Sequence, residues 1–170
     1  ALDALLPLQR GDFERICEVM NGLPVIIRLI DLPMHEFLPP RDALIREVTE
    51  LRCNNNDSDL LAEKEAILRI VESMHEMNPM LGLRACRLGI MFHGLTEMQV
   101  RAIFQAACRM AKKGIDVHPH VMIPLVSNVN ELRIGQVALE KVAKEVMKEE
   151  GIEIDYKFGT MIEIPRAALT

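Results

Sequence analysis

The sequence predicts an α/β domain built on parallel strands. Short β-branched runs alternate with amphipathic helical stretches, an order that implies parallel pairing through crossover helices. Each run is apolar almost without alternation, the pattern of a strand covered on both faces. And 170 residues, 49% apolar and 26% charged, are enough for one domain with a substantial core.

The elements follow in chain order. Asp12 is placed to cap a helix over "FERICEVMNG", with Phe13, Ile16, Cys17 and Met20 on one face and Gly22 as terminator. "LPVIIRLID" (23–31) reads as the first strand. "EVTELRCNNNDSD" reads as a helix running into a polar loop. Ser58 or Asp59 then opens a helix that turns Ile67, Ile70, Val71 and Met74 inward and stops at Asn78-Pro79. Together these form an expected helical and loop insertion near 41–75. The short segment "GLRACRLGI" follows. Thr96 and Gln99 make a capping-box pattern ahead of Val100, Ile103, Phe104 and Ala107, and Lys112-Lys113-Gly114 closes that helix. "HVMIPLVS" (120–127) is the next strand. Asn128 and Glu131 repeat the start signal, and Leu132, Leu139, Val142 and Val146 form a stripe toward Gly151. "KFGTMIEIP" (157–165) is the last strand.

Two α/β architectures fit this order, an open doubly wound sheet and a TIM (β/α)8 barrel. Neither G-x-G-x-x-G nor G-x-x-x-x-G-K-[ST] occurs, so the nucleotide-binding open sheets lose their signature. The reading is a partial TIM barrel of about four consecutive parallel strands, since a full barrel takes ~200–250 residues. An unclosed sheet has edges that seek partners. Residues 1–170 are therefore read as one incomplete domain, a piece of something larger, with the flanking strands outside this chain.

Composition excludes several function classes. The net charge is −5 with no stripe of Lys and Arg, which argues against nucleic acid. No uncharged stretch approaches the ~20 apolar residues of a membrane span. Residues 1–30 lack a basic start and a small-residue cleavage site, so a cytoplasmic location is expected, with an organelle such as a plastid or glycosome as the alternative. Cys17, Cys53, Cys86 and Cys108 stand far apart and read as reduced, mostly buried thiols. His118-Pro-His120 lacks the third and fourth ligands a zinc site needs. Neither His35-Glu36 nor His75-Glu76 continues as H-E-x-x-H.

Three charges stand in apolar, strand-like settings: Arg28 in "VIIRLID", Arg84 in "MLGLRACRLG" and Glu163 in "MIEIP". An unpaired ion in a dry interior costs several kcal/mol, so each needs a partner or a wet mouth. At the mouth of a barrel, two guanidiniums and a carboxylate suit an anionic ligand gripped by Arg forks and a divalent cation held by Glu. Internal salt bridges, Arg28 with Asp31 or Arg84 with Glu163, are the alternative.

"GLPVIIRLIDLPMHEFLP" (22–39), "MNPMLGLRACRLGI" (77–90), "MIPLV" (122–126) and "GTMIEIPRAAL" (159–169), with "LPLQRGDFE" (6–14), resemble the pyruvate phosphate dikinases. The part resembled is the C-terminal barrel that binds phosphoenolpyruvate and pyruvate. The resemblance runs over essentially the whole chain and is weakest in 41–75. It implies that Arg28 and Arg84 contact substrate phosphate or carboxylate, and that Glu163 ligates a Mg2+ bridging to substrate oxygens. It also implies phosphoryl transfer from a phosphohistidine on a swivelling domain of the same enzyme, and a homodimer.

The family pattern has His where Leu83 stands, Gly at Ala85 and Pro at Leu32. Its further substrate arginine, its Asn-Asp pair and its proton-donating cysteine have no counterpart in residues 1–170. No catalytic residue is assigned here, and the isolated segment is expected to be inactive. Phosphoenolpyruvate synthases and the phosphotransferase-system enzyme I share the barrel and are the near alternatives. A non-catalytic binding or assembly module is the alternative of a different class.

Overall fold

The computed structural model describes residues 2–33, 38–54, 58–74 and 82–170. Among these the order is α1 (Leu2–Val19), β1 (Pro24–Arg28), α2 (Arg41–Asn54), α3 (Ser58–Ser73), α4 (Ala85–Met91), α5 (His93–Lys112), β2 (His118–Ile123), α6 (Val129–Glu150), β3 (Lys157–Thr160) and α7 (Pro165–Leu169). The chain divides into two compact units, Ala1–Asp31 with Ala85–Thr170, and Leu32–Arg84.

In the first unit the three expected apolar runs pair as one parallel sheet in the order β1-β2-β3. Arg28 lies beside Met122, and Met122 beside Gly159. The described residues therefore give an α/β fold with three parallel strands in an open sheet, not about four. "GLRACRLGI" supplies helix α4, because Ala85, Cys86 and Leu88 are buried together, a spacing that suits one side of a helical turn and not a pleat.

Burial along the strands alternates, contrary to the expectation of cover on both faces. Ile27, Val121 and Ile123 are buried, whereas Ile26 beside them is 61% exposed. Helices α5 and α6 supply the cover on the buried side, and α1 packs on α5. Phe104 of α5 fills the layer between, edge-on to Tyr156 at 5.0 Å and stacked near Phe158 at 6.4 Å. The other face carries Ile26, His120 and Lys157 in one row, with Ile26 and Lys157 exposed and His120 half-buried.

Helix starts follow the tertiary contacts. α1 begins at Leu2, ten residues ahead of the expected cap at Asp12, and carries Pro7 inside it. Its packing on α5, with Arg10 donating to Gln105 at 3.1 Å, outweighs the hydrogen bond that Pro7 cannot make. α5 opens at His93 with no side-chain cap, so Thr96 is not its N-cap. The expected capping box at Asn128 and Glu131 is present, and Gly151 ends α6 at φ +64°.

In the second unit α2 packs on α3 around Leu44, Val48 and Val71. Ion pairs Arg41–Glu72 (3.2 Å) at one end, and Lys64–Glu47 (2.7 Å) and Arg52–Glu65 (2.7 Å) toward the other, link the two antiparallel helices. The expected stop at Asn78-Pro79 and both His-Glu pairs lie outside the described residues.

Candidate anion-binding site

Strands in a parallel sheet all end at one edge, and the loops leaving that edge carry most of the site residues of α/β folds. Arg28 is the last residue of β1. Its guanidinium Nη1 donates to Asp31 Oδ2 at 3.1 Å, so the pairing weighed above as an alternative does occur. The pair is lopsided, however. The Asp31 side chain is 4% exposed and the Arg28 side chain 53%. A buried carboxylate fixes one nitrogen of the fork, and much of the rest stays open to solvent at the sheet edge.

Glu163 is not within a strand. β3 ends at Thr160, and the last backbone bond toward β2 runs from Met161 N–H to Ile123 O. Pro124, next on the partner strand, has no N–H to extend the ladder. Glu163 sits in the loop leading to α7, where Pro165 takes the first helical turn. Its residue is exposed, and its Oε1 accepts from the Leu125 N–H at 2.7 Å. The register places Gly159 two strand spacings from Arg28, or about 10 Å. Arg28, at the end of β1, and Glu163, just beyond the end of β3, thus both leave the C-terminal end of the sheet, on either side of β2. Arg84 is half-buried in irregular backbone, not in the strand-like setting expected, and it is the last residue of the second unit.

The loop between β2 and α6 is tightly organised. Leu125 has φ +60°, and its carbonyl accepts from the Cys86 thiol at 3.4 Å. Glu131 accepts from Ser127 N–H (2.8 Å), Ser127 Oγ (2.9 Å) and Asn128 N–H (3.1 Å). Burial pushes the Glu131 pKa up, but the bonds from Ser127 and Asn128 and the charge of Arg87 outweigh it and hold the pKa below the usual value. Behind β1, Gln99 accepts from Ile30 N–H at 2.9 Å, which fixes the turn between Arg28 and Asp31. Sequence reading gave Gln99 to a capping box. Its reach of 69 residues back to Ile30 has no local signal.

A mainly apolar pocket of about 30 Å³ lies on the helix side of this edge, among Leu29, Cys86, Ile90, Pro124, Ile134 and Leu139. It holds about one water's worth of space, and neither Arg28 nor Glu163 is among its lining residues.

Among the described residues no group of three or more His, Cys, Asp or Glu side chains could hold a metal ion. Glu163 offers one exposed carboxylate with one oxygen already engaged. That donor set suits a cation such as Mg2+, which takes one or two carboxylates and completes its shell with water and substrate oxygens.

Residues 4–170 match the family model described as PEP-utilising enzyme, PEP-binding domain. The chain is 53% identical over 169 residues to the chloroplastic pyruvate, phosphate dikinase of Flaveria pringlei, covering 99% of this chain and 17% of that protein. It is 49% identical to the chloroplastic pyruvate, phosphate dikinase 1 of Arabidopsis thaliana, and 45% identical to the pyruvate, phosphate dikinase of Entamoeba histolytica, of which it covers 19%. The chain spans less than a fifth of the length of these relatives.

Proposed function

The chain belongs to the PEP-utilising enzyme family through its PEP-binding domain, and from that membership we propose that it is the part of a pyruvate phosphate dikinase that binds phosphoenolpyruvate and pyruvate. The observation that carries the site assignment is that Arg28 and Glu163 share the C-terminal end of the sheet, with Arg28 aimed by Asp31 and Glu163 by Leu125. In this reading the three strands are consecutive members of a (β/α)8 barrel, and residues 1–170 are one segment of it. The face bearing Ile26, His120 and Lys157 then turns toward the barrel interior, which accounts for the exposure of Ile26 on an apolar strand. Arg84 is assigned to substrate binding through the family resemblance of its motif, and the helical stretch near 41–75 is read as an insertion in the same domain.

Arg28 and Arg84 bind the phosphate and carboxylate oxygens, where guanidinium forks address two oxygens at once. Glu163, with water and substrate oxygens, would hold Mg2+. Such a cation, when bound, would supply Lewis-acid stabilisation of negative charge on the substrate oxygens. Asp31 and Leu125 keep the two charged groups in place before substrate arrives, so less reorganisation is needed during reaction. The phosphoryl group comes from a phosphohistidine on a swivelling domain of the same protein and passes to the enolate oxygen of pyruvate. A homodimer and a cytosolic or organellar home complete the reading. No helix among the described residues is long and apolar enough to cross a membrane.

Arg28→Ala and Glu163→Ala in the complete enzyme are expected to cripple the pyruvate half-reaction while exchange between ATP and the phosphohistidine persists. Equal loss of both half-reactions would remove the site assignment. A non-catalytic module predicts no effect on either.

A further inference from the structure

Ala85 (φ +52°) and Leu125 (φ +60°) are the two non-glycine residues with positive φ among the described residues. Such backbone persists only where its surroundings over-determine it, and it gathers at functional sites. Here both flank one contact. Cys86, which follows Ala85, donates its thiol proton to the Leu125 carbonyl at 3.4 Å, across 39 residues of chain. The N–H of the same Leu125 is the 2.7 Å donor to Glu163 Oε1.

We propose that Cys86 is a positioning residue for Glu163, acting through Leu125: the thiol holds the Leu125 carbonyl, the held residue presents its N–H, and that N–H orients the carboxylate for a divalent cation. This rests on the reading of Glu163 as a cation ligand given above. Cys86 touches neither substrate nor metal in this arrangement. It fixes the left-handed knuckle at Leu125, which without a second anchor would be free to relax toward ordinary φ and turn its N–H away.

Three further observations fit. The thiol is buried, and burial pushes its pKa up to about 11, with the charge of Glu131 adding to the effect, so it keeps the proton it donates. Leu125 is buried as well, which fixes the side chain while the backbone turns. Ser127 and Asn128 are separately tied to Glu131, so the loop is pinned just beyond the knuckle and Cys86 is the anchor at the knuckle itself.

The test uses the complete enzyme with phosphoenolpyruvate, titrated with Mn2+ and read by paramagnetic resonance. The Mn2+ population abolished by Glu163→Gln defines the site. If Glu163→Gln abolishes none, the reading of Glu163 as a cation ligand fails, and the inference about Cys86 with it. If a population is abolished, Cys86→Ala is expected to weaken it about tenfold, the scale typical of partners that orient a metal ligand. Cys86→Ser, which keeps an O–H donor, is expected to weaken it only about threefold. Other Mn2+ classes and the ATP half-reaction stay at wild-type values. Unchanged Mn2+ affinity in Cys86→Ala, or equal weakening by Ala and Ser, overturns the relay while leaving the role of Glu163 intact.

Discussion

Arg28 and Asp31 form a 3.1 Å ion pair whose two ends see different surroundings, the carboxylate 4% exposed and the guanidinium 53%. The anion is the fixed partner, and the cation is the one presented outward. Asp31→Ala is therefore expected to act on ligand binding through Arg28. Loss of aim by about 1 Å can cost ten- to hundredfold. In the complete enzyme kcat/KM for pyruvate should fall by about that factor, with the ATP half-reaction unchanged. Steady-state kinetics of the two half-reactions measure this, and an undiminished kcat/KM would show that Arg28 needs no such support.

Gln99 gives a prediction about stability. Its Oε1 is the acceptor for Ile30 N–H at 2.9 Å, and the side chain is buried. Gln99→Leu would strand that amide, a loss of about 1–3 kcal/mol. Gln99→Glu keeps an acceptor oxygen but introduces a buried charge, so it is expected to be no better. Urea unfolding of the two variants, compared at equal m-value, checks both.

Acid should loosen the β2–α6 loop. Glu131 has its pKa lowered in the fold despite burial, and the Lys112 ammonium bonded to Glu150 at 2.6 Å, with Arg109 nearby, lowers that of Glu150. A carboxylate whose folded pKa lies below its unfolded value stabilises the fold above the unfolded pKa, and that stability is lost as pH falls through the folded pKa. Stability should thus decline as pH drops below the ordinary carboxylate value of 4.5. Glu131→Gln is expected to be less stable at neutral pH and to show a shallower decline. Melting temperatures measured from pH 7 to about 3 read the difference.

Phe104 is the test of the core. It is fully buried and meets Tyr156 and Phe158. Phe104→Ala is expected to cost about 3–5 kcal/mol, since the neighbouring rings cannot collapse into the space. Calorimetry of the variant checks the magnitude.

The strands and the long helices were readable because their signals are local. Val100, Ile103, Phe104 and Ala107 repeat at helical spacing, and each is buried. Asn128 and Glu131 announce α6 three residues apart, and the cap they predict is the one observed. The α4 region was misread because "GLRACRLGI" is too short for periodicity to separate a buried turn from a strand. Arg28 and Glu163 stood out as charges in apolar runs, and both lie at the C-terminal end of the sheet. What holds them was illegible, apart from Asp31. Leu125 N–H, Cys86 and Gln99 act across 38, 39 and 69 residues of sequence. Two of those three contacts use a backbone N–H as donor, and no side-chain pattern records where such a group points.

The register of the sheet bears on the order in which the protein assembles. β2 and β3 meet across about forty residues of chain, whereas β1 and β2 meet across about ninety, with the α2–α3 pair in between. Closing the longer loop costs only about 0.8 kcal/mol more in chain entropy. So small an increment lets the longer connection carry a whole helical hairpin at little thermodynamic expense. It also favours early docking of β3 on β2, leaving β1 and the placement of Arg28 among the later events on the folding route.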